Sequence, residues 1–193
     1  MTANDIRLRA WNKLIYRDPY PILEAFSALV RAPGFLDLPY PQKSLRTQSL
    51  KPYRELRQAA VFAHGMASYI GEKVYIAMTE AEDYDLVASF RKGKVINRVP
   101  VQLKELVPNY VNAKGSIQAQ IDMLKTKYPD SRDLAVALHV NRRIELVVGD
   151  LDVNGLNLGE LWFYGSDTAD NSDWFLLGNF LAGPLKEVRF TIP

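Results

Sequence analysis

The sequence predicts an α/β fold, a mixed sheet flanked by helices with extra strands at the C-terminal end. Three observations carry this. Between residues 52 and 140 the hydrophobic periodicity switches in the order helix, strand, strand, strand, helix, strand. "RKGK", 91–94, joins two apolar segments through one glycine that is free to take φ > 0, a hairpin signal. "LAVALHV", 134–140, is a nearly unbroken apolar run, as expected of a strand covered on both faces. The 193 residues, 48% of them hydrophobic, suffice for one domain without disulfide staples. Its expected parts are a helical and loop extension over 1–50, a core over 52–140 and an added β segment over 141–193.

Taken in order, residues 3–16 read as a short helix. In "DPYPILEAFSALVRAPG" the residues Ile22, Phe26, Leu29 and Val30 form a helical stripe that Pro33 and Gly34 end. "FLDLPYPQKSLRTQSLKPY", with three prolines, reads as an extended surface loop. The helix over 52–71 opens on proline and closes on glycine. Its small face of Leu56, Ala59, Ala60, Ala63 and Ala67 suits close packing on a sheet. Strands follow over 73–80, 84–90 and 98–106, then an amphipathic helix over 115–128 with Ile117, Ile121 and Leu124 on one side. After the strand at 134–140, "RIELVVGDL", "GELWFYG", "DWFLLGNF" and "EVRFTIP" read as further strands.

There is no cysteine, which excludes disulfides, thiolate metal sites and cysteine nucleophiles. No signal-peptide core and no apolar run of membrane-spanning length is present, so a cytoplasmic protein without membrane contact is expected. The net charge of +2 hides an asymmetry. Residues 1–140 hold 20 Lys/Arg against 14 Asp/Glu, and residues 141–193 hold 4 against 8. A basic front suits a polyanion such as DNA, with Lys51, Arg54, Arg57, Arg91 and Lys92 as candidate contacts, whereas the acidic end suits a protein partner.

Strand alternation puts Gln102 and Lys104 on one face, and pairing through the Gly93 turn brings Asp85 level with them. Asp83 has the same parity, but the apolar strand starts directly after Asp85. A carboxylate, an amide oxygen and waters suit Mg²⁺ or Mn²⁺. A bound metal polarises a phosphoryl oxygen, and a neighbouring lysine serves the attacking water. This is an arrangement for hydrolysing a phosphodiester.

The element order, with Asp85 on the second strand and Gln102-Leu103-Lys104 on the third, resembles the PD-(D/E)xK, or restriction-endonuclease-like, nuclease superfamily in a QxK variant. The resemblance covers about 90 residues and implies an αβββαβ core. It implies Asp85 and Gln102 as metal ligands, with Glu55 of "YRELRQ" as a further ligand, and Lys104 as the catalytic lysine. Gln118 or Gln120 would assist from the second helix. Three departures stand out: Tyr84 replaces the family's proline, Gln102 replaces the commoner acid, and Pro100 removes a ladder donor from the third strand. They leave a second expectation beside the nuclease, a non-enzymatic interaction protein of immunity or mobile-element accessory type with a degenerate site.

Other constellations carry less. "DLDVNG", 150–155, starts like a calcium loop, but the twelfth position is Leu161, and Asn154-Gly155 between strands reads as a hairpin. His64 and His139, the only histidines, read as hydrogen-bonded structural residues. Trp162, Phe163, Tyr164, Trp174 and Phe175 read as sheet core, with a solvated acidic insert "SDTADNSD" between them.

Overall fold

The computed structural model describes residues 3–193, apart from the side chains of residues 3, 4 and 80–82. Five α-helices are described: α1 (Ala3–Trp11), α2 (Pro19–Arg31), α3 (Tyr40–Lys43), α4 (Lys51–Ile70) and α5 (Ile117–Lys127). The strands are β1 (Val74–Glu82), β2 (Tyr84–Lys92), β3 (Val95–Leu106), β4 (Ser131–Val140), β5 (Leu158–Ser166), β6 (Asp173–Gly178) and β7 (Lys186–Thr191). They form one seven-stranded sheet in sequential order. β1, β2 and β3 are antiparallel neighbours, β3, β4 and β5 run parallel, and β6 and β7 return antiparallel. The expected α/β class and helix–strand order over the core are present.

The α4 helix lies on one face. Its Ala59, Ala60 and Ala63 let the helix approach Ile76, Leu86, Val101, Leu103, Ala137 and Tyr164 closely. Gly65 has a specific reason: a Cβ there would stand 2.7 Å from the ring of Phe190 on β7. Gly71, at φ 77°, closes α4 by donating its N–H to Ala67 O at 2.9 Å. On the other face α5 buries Ile117, Ile121 and Leu124 against Val136, Leu138, Leu161 and Phe163. Ser116 caps it by accepting from Ala119 N–H at 3.1 Å. The central strand β4 is buried from Leu134 to Val140, as its apolar run requires. Trp162, Phe163, Tyr164 and Trp174 are buried in the two cores.

Gly93, at φ 60°, makes the β2–β3 turn, pairing Lys92 with Val95. Pro100 sits inside a central strand rather than at an edge. Leu103 turns its N–H toward β2, so Pro100, three residues back, turns its nitrogen the other way. There pairing with β4 begins only at Val101, and the missing donor costs no ladder bond. The chain before α2 also lies along β1: Arg17 and Ile76 exchange both backbone hydrogen bonds, at 2.8 and 2.9 Å.

Four expectations are corrected. The first helix stops at Trp11. Residues 35–53 are not uniformly extended but contain α3 and two short 3₁₀ turns before α4 starts. Residues 143–151 form no strand, because β4 already has β3 and β5 as neighbours and this segment crosses over between parallel strands. For the same reason Asn154-Gly155 turns the chain within a crossover, with Gly155 at φ 81°, and closes no hairpin.

Candidate functional site

The β2–β3 ladder reaches Leu86 paired with Val101, which sets Asp85 and Gln102 opposite each other at its open end. Asp85 is half-buried and its Oδ2 accepts the Leu103 N–H at 2.7 Å, a donor that no β2 carbonyl takes up. The same oxygen accepts from the Gln102 carboxamide nitrogen. That nitrogen also donates to Leu103 O at 3.1 Å, so it sits between two oxygens. Gln102 Oε1 accepts from the Tyr128 hydroxyl at 2.8 Å. Gln102 is 7% exposed and Tyr128 4%, so a buried polar side chain is fully satisfied.

Lys104 follows on the Gln102 face and is half-buried. Its ammonium is held below the usual lysine range, first by burial, then by repulsion from Lys127, with Asp85 pulling the other way. Among the described residues no carboxylate lies within ion-pair distance of it. Asp85, Gln102 and Lys104 are thus neighbours at the end of one hairpin.

Glu55 stands apart from this group. It lies in the second turn of α4, on the sheet face that carries Leu103, and pairs with Lys51 at 3.5 Å. No hydrogen bond or ion pair links it to Asp85, Gln102 or Lys104. Gln118 is also engaged elsewhere: it exchanges bonds with the Asp152 backbone at 3.0 and 3.2 Å and donates to Asp122 at 2.8 Å. Asp152 further pairs with Lys125 at 2.8 Å, so the second aspartate of "DLDVNG" braces α5. Among the described residues no three His, Asp or Glu side chains converge to hold a metal ion.

Sequence reasoning passed over a second polar group, on the opposite face of β3. Glu105 accepts from Asn141 at 2.7 Å and pairs with Arg46. Burial pushes its carboxyl up, but Asn141, His139 and Arg46 together hold it below the usual carboxylate range. His139 is 5% exposed, stacks on Tyr164 at 5.0 Å and meets Gln58 at 3.4 Å. Glu105 could have been noticed beside Lys104, since adjacent strand residues face opposite ways. Nothing in the sequence ties Tyr128 to Gln102 or Arg46 to Glu105, because those contacts span 26 and 59 residues. The five cationic residues expected to line one groove fall into two groups. Arg91 and Lys92 precede the β2–β3 turn, whereas Lys51, Arg54 and Arg57 lie on α4, Arg54 and Arg57 by the far end of β3 beside Glu105 and Lys51 paired with Glu55. Comparison with known families, curated proteins and solved structures finds no match to this chain.

Proposed function

We propose that the chain is a nuclease-like domain that hydrolyses DNA phosphodiesters with a divalent metal, on a restriction-endonuclease-like core. The observation that carries the reading is the meeting of Asp85, the Gln102 carboxamide and the Leu103 carbonyl beside Lys104. The donor set fits a hard cation. Asp85 supplies one carboxylate, Leu103 a carbonyl, and Gln102 an oxygen once its carboxamide turns over to exchange Nε2 and Oε1. Tyr128 permits that turn, because its hydroxyl can accept from the amide as well as donate to it. When bound, Mg²⁺ or Mn²⁺ would polarise the scissile phosphoryl group and acidify its water. The chain's own residues do the rest. Asp85 supplies the local negative charge, and Gln102 orients it. Lys104, with its proton weakly held, takes a proton from the attacking water or balances charge on the phosphate. Glu55, paired with Lys51, has no part in this reading.

In a plasmid-nicking assay the wild type should cut with Mg²⁺ or Mn²⁺ and stop with a chelator. Asp85→Asn should abolish cutting, and Gln102→Glu should keep or raise it. Undiminished cutting by Asp85→Asn would move the activity elsewhere.

The second reading is a non-enzymatic interaction protein on the same core. The closed Tyr128–Gln102–Asp85 network favours it, since the amide nitrogen fills the space between the two oxygens. Absence of cutting by both the wild type and Gln102→Glu would select it, with the acidic C-terminal third as the protein-facing surface.

A further inference from the structure

A cavity of about 410 Å³ opens at the C-terminal ends of the parallel strands β3 and β4, beside the first turns of α4. Ligands of open α/β sheets gather at such ends, and this volume suits a small molecule. Its lining is cationic. Arg46 is neutralised by Glu105. Arg54 and Arg57, one turn apart on α4, have no carboxylate within ion-pair distance among the described residues. Arg57 packs its guanidinium over the Trp174 ring at 5.6 Å, which fixes the group without neutralising it.

His139 adds a second, independent pointer. Gln58 Nε2 can only donate, so His139 Nδ1 accepts and the proton sits on Nε2. That N–H makes no hydrogen bond among the described residues, on a side chain 5% exposed that lines the cavity. Burial keeps the ring neutral, with its pKa pushed down to about 4, so it stays a donor at neutral pH. Two guanidinium groups and an imidazole N–H on the cavity lining are therefore open to an acceptor. At the mouth, Tyr40 and Tyr110 meet edge to face at 5.4 Å and are more than half exposed. Exposed paired rings beside a cationic floor suit a flat aromatic group.

We propose that this cavity binds a nucleoside phosphate, with its phosphoryl group on Arg54, Arg57 and the His139 Nε2–H and its ring against Tyr40 and Tyr110. The site lies on the α4 side of β3, opposite Gln102 and Lys104, and does not depend on the nuclease reading. The same phosphoryl chemistry has two sources, a free nucleotide or the phosphorylated end of a strand.

The test is calorimetric titration of the full chain with AMP, adenosine and inorganic phosphate. AMP should bind, phosphate more weakly, and adenosine at least tenfold more weakly than AMP. Arg54→Gln and Arg57→Gln should each weaken AMP at least tenfold, a loss of about 1.4 kcal/mol. Arg132→Gln, an exposed charge at the other end of β4, should change nothing. Tyr40→Ala should weaken AMP but not phosphate. A 5′-phosphorylated oligonucleotide that binds tenfold more tightly than both AMP and its 5′-hydroxyl twin assigns the site to strand ends, and equal affinity to AMP assigns it to free nucleotides. The proposal is overturned if neither AMP nor phosphate binds, if adenosine binds as well as AMP, or if Arg54→Gln binds AMP like the wild type. The Arg54 variant keeps the test valid should Arg57→Gln disturb the packing on Trp174.

Discussion

At the scale of single residues, the candidate site is governed by one amide. Gln102 donates to Asp85 and accepts from Tyr128, so glutamate at 102 would set two carboxylates against each other. Gln102→Glu should therefore lower the melting temperature in chelator and gain more from Mg²⁺ than the wild type does, as linked binding requires. Equal Mg²⁺ shifts in both proteins would argue against a cation between Asp85 and position 102. Lys104 adds a pH dependence. A lysine held below its usual range loses its proton at lower pH than an exposed one, so cutting should rise with pH on the alkaline side. Lys104→Ala should remove that rise while DNA binding changes less, and an identical pH profile would exclude the lysine. His139 bears on stability instead. The unfolded chain takes up a proton near pH 6.5 that the folded protein refuses until about pH 4. The stability is therefore complete above pH 6.5 and falls as pH drops through that interval, by about 3 kcal/mol. Urea unfolding at neutral and mildly acid pH should show this loss in the wild type and little of it in His139→Phe.

At the scale of elements, Gly65 shows why an apparent flaw in a helix can be required. Alanine there improves helix propensity by about 1 kcal/mol, but its Cβ would press on the Phe190 ring. Gly65→Ala should destabilise the wild type and stabilise a Phe190→Leu background, read as a double-mutant cycle by denaturant unfolding. The same sign in both backgrounds would remove the steric account. The core elements were legible in the sequence because their periods are local: Ala59, Ala60 and Ala63 mark one face of α4, and the Gly93 turn sets the β2–β3 register. That register also made the meeting of Asp85 with Gln102 legible. What stayed hidden depends on distant neighbours. The apolar run at 143–151 resembles a strand, yet no open place beside β4 receives it. Tyr128 and Arg46 complete their clusters only after the chain folds, and no spacing announces that.

At the scale of the whole molecule, the positive charge is divided along β3. The Arg91–Lys92 pair at the hairpin turn and the Arg54–Arg57 pair at the other end are separated by most of a 12-residue strand, roughly 30 Å. A duplex held by both pairs would have to run along the strand direction. Binding should weaken steeply with salt, and neutralising one pair should reduce the salt slope by roughly two. Affinity that is flat in salt would rule out phosphate contact by these residues.

The sheet ends on β1 and β7, and an unpaired strand edge is a template on which another chain can add. The backbone of Arg17 occupies one position of the β1 edge by exchanging both hydrogen bonds with Ile76. The segment before α2 therefore works against self-association as well as packing on the core. Arg17→Pro removes the donor and should free that edge. Light scattering should then rise with protein concentration at temperatures where the wild type stays clear, well before the fold itself melts.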